Sequence, residues 1–282
     1  MAAAIWAWRL GLRIELLEAG ERLGGQLCSV LSPITDYPGV PDADGPALAA
    51  RFAEHLARTK ATVRLGCRVS GLDPDRGTLE TSGGRRLRAQ AIVLALGARR
   101  RRLGLGDEHR YVGRGVSYSV SKDRGLVAGQ TAVVVGGGDS AAEGAVRLAA
   151  LCPEVHLVLR GTLRARPDFV AQAEAEPRIR WHRGRRVTAL YGEKRLEGVV
   201  LDDGERIGCA GLFVRIGVEP DTSFVRACLP CDEQGFLVVD TAQRCRGVVY
   251  AVGDVCSPRA MAVSVATGQA FVACKDIQSR WG

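Results

Sequence analysis

Val133-Val134-Val135-Gly136-Gly137-Gly138-Asp139-Ser140-Ala141 reads as a β-branched apolar strand, a glycine turn and the opening of a helix. Gly136 permits a tight turn, Gly138 lets the backbone approach a pyrophosphate, and Ala141 allows close packing of helix on strand. A helix that starts there presents free N–H groups and the positive end of its dipole to phosphates. Glycines alone would be a weak signal. The strand before them and the helix after them supply the context of a dinucleotide site, against the blander alternative of a structural turn.

Outward from this stretch, the strand begins at Thr131, the helix spans Ser140–Leu151, and the next strand is Val155–Leu159. It ends in Arg160, with Arg164 and Arg166 close behind and no acid in reach. An acid at this place holds the ribose 2′-OH of NAD, whereas arginine accommodates the 2′-phosphate of NADP. The reading therefore favours NADPH, with NADH still open. Its structural alternative is a loop of surface arginines.

The first part of the chain has a similar order. A strand at Leu12–Leu17 ends in Glu18, a helix covers about Gly45–Thr59 with Leu48, Phe52 and Leu56 on one face, and a strand runs into Ala91–Leu96. A third piece holds strands at Phe236–Val239 and Val248–Ala251 and a closing helix. Strands alternating with helices of this length imply α/β architecture with parallel sheets. The expectation is two doubly wound, Rossmann-like dinucleotide-binding domains, one inserted in the other, with boundaries at 1–113, 114–220 and 221–282. Glu18 stands where an acid would hold an adenine dinucleotide's ribose. Counting back from it the 22 residues that separate Gly138 from Arg160 lands before Met1, and Ala2–Leu10 reads as the remainder of a helix. The first glycine loop is thus not in this sequence: the expectation is a fragment, a mis-started product or a first site without its pyrophosphate cradle.

Composition bounds the rest. With 282 residues the chain is long enough for about two domains, each with its own core. Hydrophobic content of 46% and charged content of 25% are those of a soluble globular protein. No apolar run reaches the roughly 18 residues of a membrane span, and the apolar start lacks the pattern of a signal peptide. The net charge of +8 is spread along the chain and aromatics are only 5%, which argues against nucleic acid. The one dense run, Arg99–Arg102, is read as a solvated turn. Nine irregularly spaced cysteines fit reduced thiols in the cytoplasm. His55, His109, His156 and His182 stand isolated in the sequence, without metal or triad spacing, so no metal site is expected.

Five stretches together resemble the low-molecular-weight thioredoxin reductase family over nearly the whole chain. They are the Val133–Ala141 motif, the Glu18 segment, Gly24-Gly25-Gln26-Leu27, Asp36-Tyr37-Pro38-Gly39, and Gly247 to Gly253-Asp254. The resemblance implies FAD and NADPH as cofactors. It implies that Asp254 binds the flavin's ribityl chain and that Gly24 to Leu27 lie along the isoalloxazine. Ala95-Leu96-Gly97 resembles the Ala-Thr-Gly strand end that closes the flavin site. Asp36 stands where the family usually has Asn, and Val158-Leu159 where it has His-Arg. The main departure is the redox pair. The family's Cys-x-x-Cys follows Gly-Val-Ser-Tyr, and here Gly115-Val116-Ser117-Tyr118 is followed by Ser119-Val120-Ser121-Lys122-Asp123. Ser119 and Lys122 cannot carry out thiol–disulfide exchange, which needs a thiolate attacking sulfur. Cys228-Leu229-Pro230-Cys231 has dithiol spacing, but in the resembling family this is an ordinary loop, and incidental thiols are the simpler reading.

The expectation is a flavin-dependent oxidoreductase taking a hydride from NADPH and passing electrons to a non-disulfide acceptor: an acidic ferredoxin, a quinone, oxygen or a small molecule. Thioredoxin-reductase-like ferredoxin–NADP reductases also lack the cysteine pair. No catalytic side chain is expected, because the cofactors carry the chemistry. A homodimer is compatible with the reading. The alternative class is a degenerate, non-catalytic NADPH sensor or scaffold.

Overall fold

The computed structural model describes residues 1–31 and 33–282. The chain divides into two compact units, residues 1–99 with 219–282 and residues 100–218. The expected first boundary, at 113, lies inside the second unit. Leu103, Leu105 and Tyr111 pack there with Val133, Leu196 and Leu212, which draws the boundary back to Arg99.

The second unit is built on a parallel five-stranded sheet in the order Ile179–Arg183, Val155–Leu159, Ala132–Val135, Gly211–Val214, Val116–Ser117. Its central strand, Ala132–Val135, is buried throughout, as a parallel strand covered on both faces must be. Side chains alternate between the faces. Val134, Leu157 and Phe213 meet Ala141, Ala145 and Leu148 of the helix Asp139–Ala149. Val133, Val135, Val158 and Leu212 meet Leu190, Val199 and Leu201 of an antiparallel layer formed by Val187–Tyr191, Gly198–Leu201 and Arg206–Gly208.

The first unit has a parallel pair, Glu15–Leu17 with Thr62–Arg64, and a sheet in which Val249–Ala251 lies between Ile92–Leu94 (parallel) and Arg244–Arg246 (antiparallel). An antiparallel meander, Val69–Asp73, Thr78–Thr81 and Arg86–Arg88, lies in the same unit. The helices Ala2–Arg9 and Val263–Trp281 pack together, with the Trp6 and Phe271 ring centroids 4.6 Å apart.

Three expectations are corrected here. The strand expected from Leu12 starts only at Glu15, because Gly11 turns with φ +79° and the Leu12 N–H still donates to Ala7 of the preceding helix. Phe236–Val239 is not a strand. Gly235 (φ +91°) and the Asp232 carboxylate turn the chain, and the Leu237 and Val238 N–H groups go to Val255 and Pro230, leaving one isolated bridge, Cys231 to Leu237. The Arg99–Arg102 run is no turn. It continues the strand Ala98–Arg100, with Arg99 paired to Glu219 at 2.9 Å. Among the described residues, no helix is long and apolar enough to cross a membrane.

Candidate functional site

In the second unit the glycine turn lies at the C-terminal edge of the central strand. Gly136 (φ +150°) is pressed against the strand Gly211–Val214: a Cβ there would fall on the Arg215 carbonyl, 2.8 Å from its carbon and 3.0 Å from the Ala141 methyl. A side chain is therefore excluded by the fold itself. Gly138 differs, because a Cβ there meets nothing within 4 Å. Its missing side chain leaves open space in front of the helix N-terminus, the approach that a pyrophosphate requires. No side chain caps that helix. The Asp139 carboxylate turns to the neighbouring loop, accepting from the Arg166 N–H at 2.7 Å and pairing with its guanidinium at 3.4 Å. Ser140 stands in the first turn and Ala141 is fully buried.

The arginine loop lies across this turn. The Arg164 N–H donates to Gly137 at 2.6 Å, and Arg166 stacks on Phe169. The side chains of Arg160 and Arg164 are exposed, and among the described residues neither is paired with a carboxylate. Arg166, in contrast, is engaged by Asp139 and Asp168. The arrangement thus supplies two unneutralised cations one strand from the glycine turn.

The segment at the redox-pair position is in the same unit. Ser119 is half-buried and precedes a single helical turn, Val120–Asp123, on which Lys122 is exposed. Ser117 organises it, donating to the Asp123 carboxylate at 2.6 Å and accepting the Ser119 N–H at 3.0 Å. Arg215 ties this segment to the glycine-turn helix. Its guanidinium donates to the Tyr118 carbonyl at 2.7 Å and the Ser140 carbonyl at 3.3 Å. Burial, with Arg100 nearby, lowers the pKa of Arg215 to about 10, so it stays charged at neutral pH. The Tyr118 hydroxyl donates to Glu108 at 2.6 Å. Burial first, and that acceptor second, hold this phenol protonated far above its ordinary range. Arg215 escaped the sequence reading. Its only signal is an arginine one residue past an apolar strand, and the partners are distant in sequence.

In the first unit Gly97, Gly253 and Asp254 stand at the ends of two parallel strands. Val252 donates to Leu94 at 3.0 Å, which sets Gly97 and Gly253 beyond neighbouring strand ends. Gly253 (φ +78°) needs glycine, and its N–H donates to Gln269 at 2.7 Å. Asp254 follows in the 3₁₀ turn Gly253–Val255. Gln269, nearly two turns into the final helix, also holds Ser257 at 2.7 Å and was not foreseen, since a glutamine on a helix carries no motif. Gly24 (φ +116°) and Gly25 (φ +51°) start the turn Gly25–Ser29, from which Gln26 donates to the Ala98 carbonyl beside Gly97, while Leu27 packs with Ile34 and Leu48. Glu18 caps the turn after its strand, accepting from Gly20 at 2.7 Å. Asp36 is exposed, in a turn whose neighbours Ile34 and Tyr37 pack in the same cluster as Leu27.

The histidines need correction. His156 and His182 are adjacent, not isolated: two residues out of register on neighbouring strands, they share a face, with ring nitrogens 2.8 Å apart. Glu154 and Glu205 close the row at 3.3 and 3.5 Å. Burial lowers the His156 pKa despite Glu154. Among the described residues no group of three ligands can hold a metal ion.

Sequence comparison accounts for the geometry. Residues 1–270 match the pyridine nucleotide-disulphide oxidoreductase model. The chain belongs to that family. It is 33% identical to the thioredoxin reductase of Streptomyces clavuligerus, over 90% of this chain and 81% of the relative. It is 31% identical to an alkyl hydroperoxide reductase of Pseudomonas putida, over 95% of this chain but 53% of that protein, so it spans about half the length of such relatives. The crystal structure of Lactococcus lactis thioredoxin reductase superposes with a TM-score of 0.85 at 28% identity, covering 99% of this chain and 94% of that one. Within the family the chain is thioredoxin reductase-like, a branch of NAD(P)H-dependent flavoproteins whose members use FAD and NADPH.

Proposed function

We propose that this chain is a flavin-dependent NADPH oxidoreductase that delivers electrons to an acceptor other than a disulfide. The observation that carries the reading is the replacement of the family's redox pair by Ser119 and Lys122. The unit bearing that segment holds only two cysteines, Cys152 and Cys209, with 2% and 6% exposure. Burial pushes both thiols up, Cys209 to about 12, so neither substitutes for the missing pair.

When bound, the nicotinamide and flavin supply the hydride and electron transfer. The chain's own residues bind and orient. In this reading Gly136 sets the turn, Gly138, Asp139, Ser140 and Ala141 open the helix toward the pyrophosphate, and Arg160 and Arg164 accept the 2′-phosphate of NADPH. Glu18, Gly24, Gly25, Gln26, Leu27, Gly97, Gly253 and Asp254 form the flavin side. Asp36 joins them only by resemblance. Residues 1–99 with 219–282 serve as the FAD domain and residues 100–218 as the NADPH domain.

A small acceptor or a ferredoxin suits this chemistry, and the charge of +8 favours an acidic protein partner. Nine free thiols support a reducing, cytoplasmic setting. The test is to reconstitute with FAD, reduce with NADPH, and offer ferredoxin, a quinone, oxygen, thioredoxin and an aromatic disulfide in parallel. Turnover with one of the first three and none with the disulfides is the expected result. Disulfide turnover would refute the proposal.

A further inference from the structure

Arg215 follows the apolar strand Gly211–Val214, and its N–H donates to the Val135 carbonyl at 2.7 Å, which places it level with Gly136. There its half-buried guanidinium spans two elements. Nε donates to the Ser140 carbonyl at 3.3 Å, in the first turn of the helix Asp139–Ala149, and Nη1 donates to the Tyr118 carbonyl at 2.7 Å. Both acceptors are main-chain carbonyls, so neither neutralises the cation. Among the described residues Arg215 forms no ion pair, and Glu143, one turn further along the same helix, is taken by Arg147 at 2.6 Å. A cation sunk into a fold is ordinarily paired with an acid.

The segment on the other side of this bridge is stiff in its own right. Ser117 donates to the Asp123 carboxylate at 2.6 Å and accepts the Ser119 N–H at 3.0 Å, which closes the single helical turn Val120–Asp123. The turn meets the helix at a second point, Gly144, where a Cβ would stand 3.1 Å from a Val120 methyl. An apolar contact of this kind sets distance but not register. Two directed hydrogen bonds from one planar group set both.

We propose, resting on the nucleotide reading above, that Arg215 is a positioning residue of the nucleotide site. It clamps the helix opening at Ser140 to the segment Ser117–Asp123, so that nucleotide binding and the order of that segment rise and fall together. The first turn of the helix offers N–H groups and the positive end of its dipole to a pyrophosphate. The unneutralised guanidinium stands beside the same turn, and an anion bound there stabilises the cation as the cation stabilises the anion. Such coupling is reciprocal: whatever factor Arg215 adds to nucleotide affinity, the nucleotide returns to the hold of Arg215 on Tyr118. The effect is blind to the 2′-phosphate, which in this reading goes to Arg160 and Arg164, beyond the strand Val155–Leu159. Arg215 therefore acts on NADPH and NADH alike.

The full-length chain is titrated with NADPH and with NADH by calorimetry, as wild type, Arg215→Met and Arg215→Lys, with circular dichroism to confirm folding. Arg215→Met should weaken both nucleotides by one common factor, about five- to thirty-fold, the range of a modest coupling between sites, with their ratio unchanged. Arg215→Lys keeps the charge but cannot span both carbonyls, and should recover part of the loss. Hydrogen exchange read by mass spectrometry reports the other end of the clamp. Saturating NADPH should slow exchange at residues 117–124 and 139–146 of the wild type, and only at 139–146 in Arg215→Met. Unchanged affinity in Arg215→Met, loss of NADPH binding alone, or exchange at 117–124 that ignores NADPH in the wild type would overturn the proposal. If Arg215→Met does not fold, wild-type affinity together with wild-type protection of 117–124 in Arg215→Lys would overturn it. A wild type that binds neither nucleotide would instead overturn the nucleotide reading, and this inference with it.

Discussion

Gly138→Ala should abolish tight nucleotide binding while leaving the protein as stable as before, and Gly136→Ala should do the opposite. The two residues stand in one turn, yet the fold uses them differently. At Gly138 an added methyl meets no protein atom within 4 Å and the backbone is extended, so the change in stability should stay within about 0.5 kcal/mol. The methyl would occupy the space in front of the helix N-terminus. Displacing the pyrophosphate from an N–H donor costs about 1.5–3 kcal/mol, a weakening of roughly ten- to 150-fold for each donor lost. At Gly136 the methyl falls on the Arg215 carbonyl, and the backbone has φ +150°. Overpacking costs roughly 1–3 kcal/mol and the unfavourable backbone a similar amount. Thermal unfolding and isothermal titration with NADPH should therefore separate the variants. Wild-type affinity in Gly138→Ala, or wild-type stability in Gly136→Ala, would refute the assignment of one glycine to the ligand and the other to the fold.

Arg160→Ala should weaken NADPH by about ten-fold or more and leave NADH nearly unchanged, as titration of both nucleotides will show. Equal wild-type affinities would mean that Arg160 and Arg164 are surface charges only. The His156 pKa lies below its ordinary value of 6.5 because burial disfavours the imidazolium. The unfolded chain then binds the proton first, so stability should fall as pH drops through 6.5 toward the folded pKa. Melting temperature against pH should be flatter in that window for His156→Gln than for the wild type, and parallel curves would contradict this.

Legibility in the sequence tracked how local each cause is. The Val133–Ala141 strand, turn and helix follow from neighbouring residues, and the distinction between Gly136 and Gly138 was present in their spacing. Phe236–Val239 failed because the Asp232 side chain and Gly235 turn the chain into loop pairings, which override an apolar run. His156 and His182 meet only through the register of two strands, and Arg215 reaches Tyr118 and Ser140 only once the sheet is assembled. Gln269 likewise becomes a partner of Gly253 only when the final helix docks. Contacts across long sequence separations leave no periodic trace.

The central claim is that this family member has given up disulfide chemistry at the segment Ser119–Lys122. The most direct measurement is disulfide reduction by the FAD-reconstituted chain with NADPH, run beside a Ser119→Cys/Lys122→Cys double variant. The predicted result is a flavin spectrum bleached by NADPH in both proteins, with thioredoxin and aromatic disulfide reduced only by the double variant. Reduction of either disulfide by the wild type, above the free-flavin rate, would contradict the account.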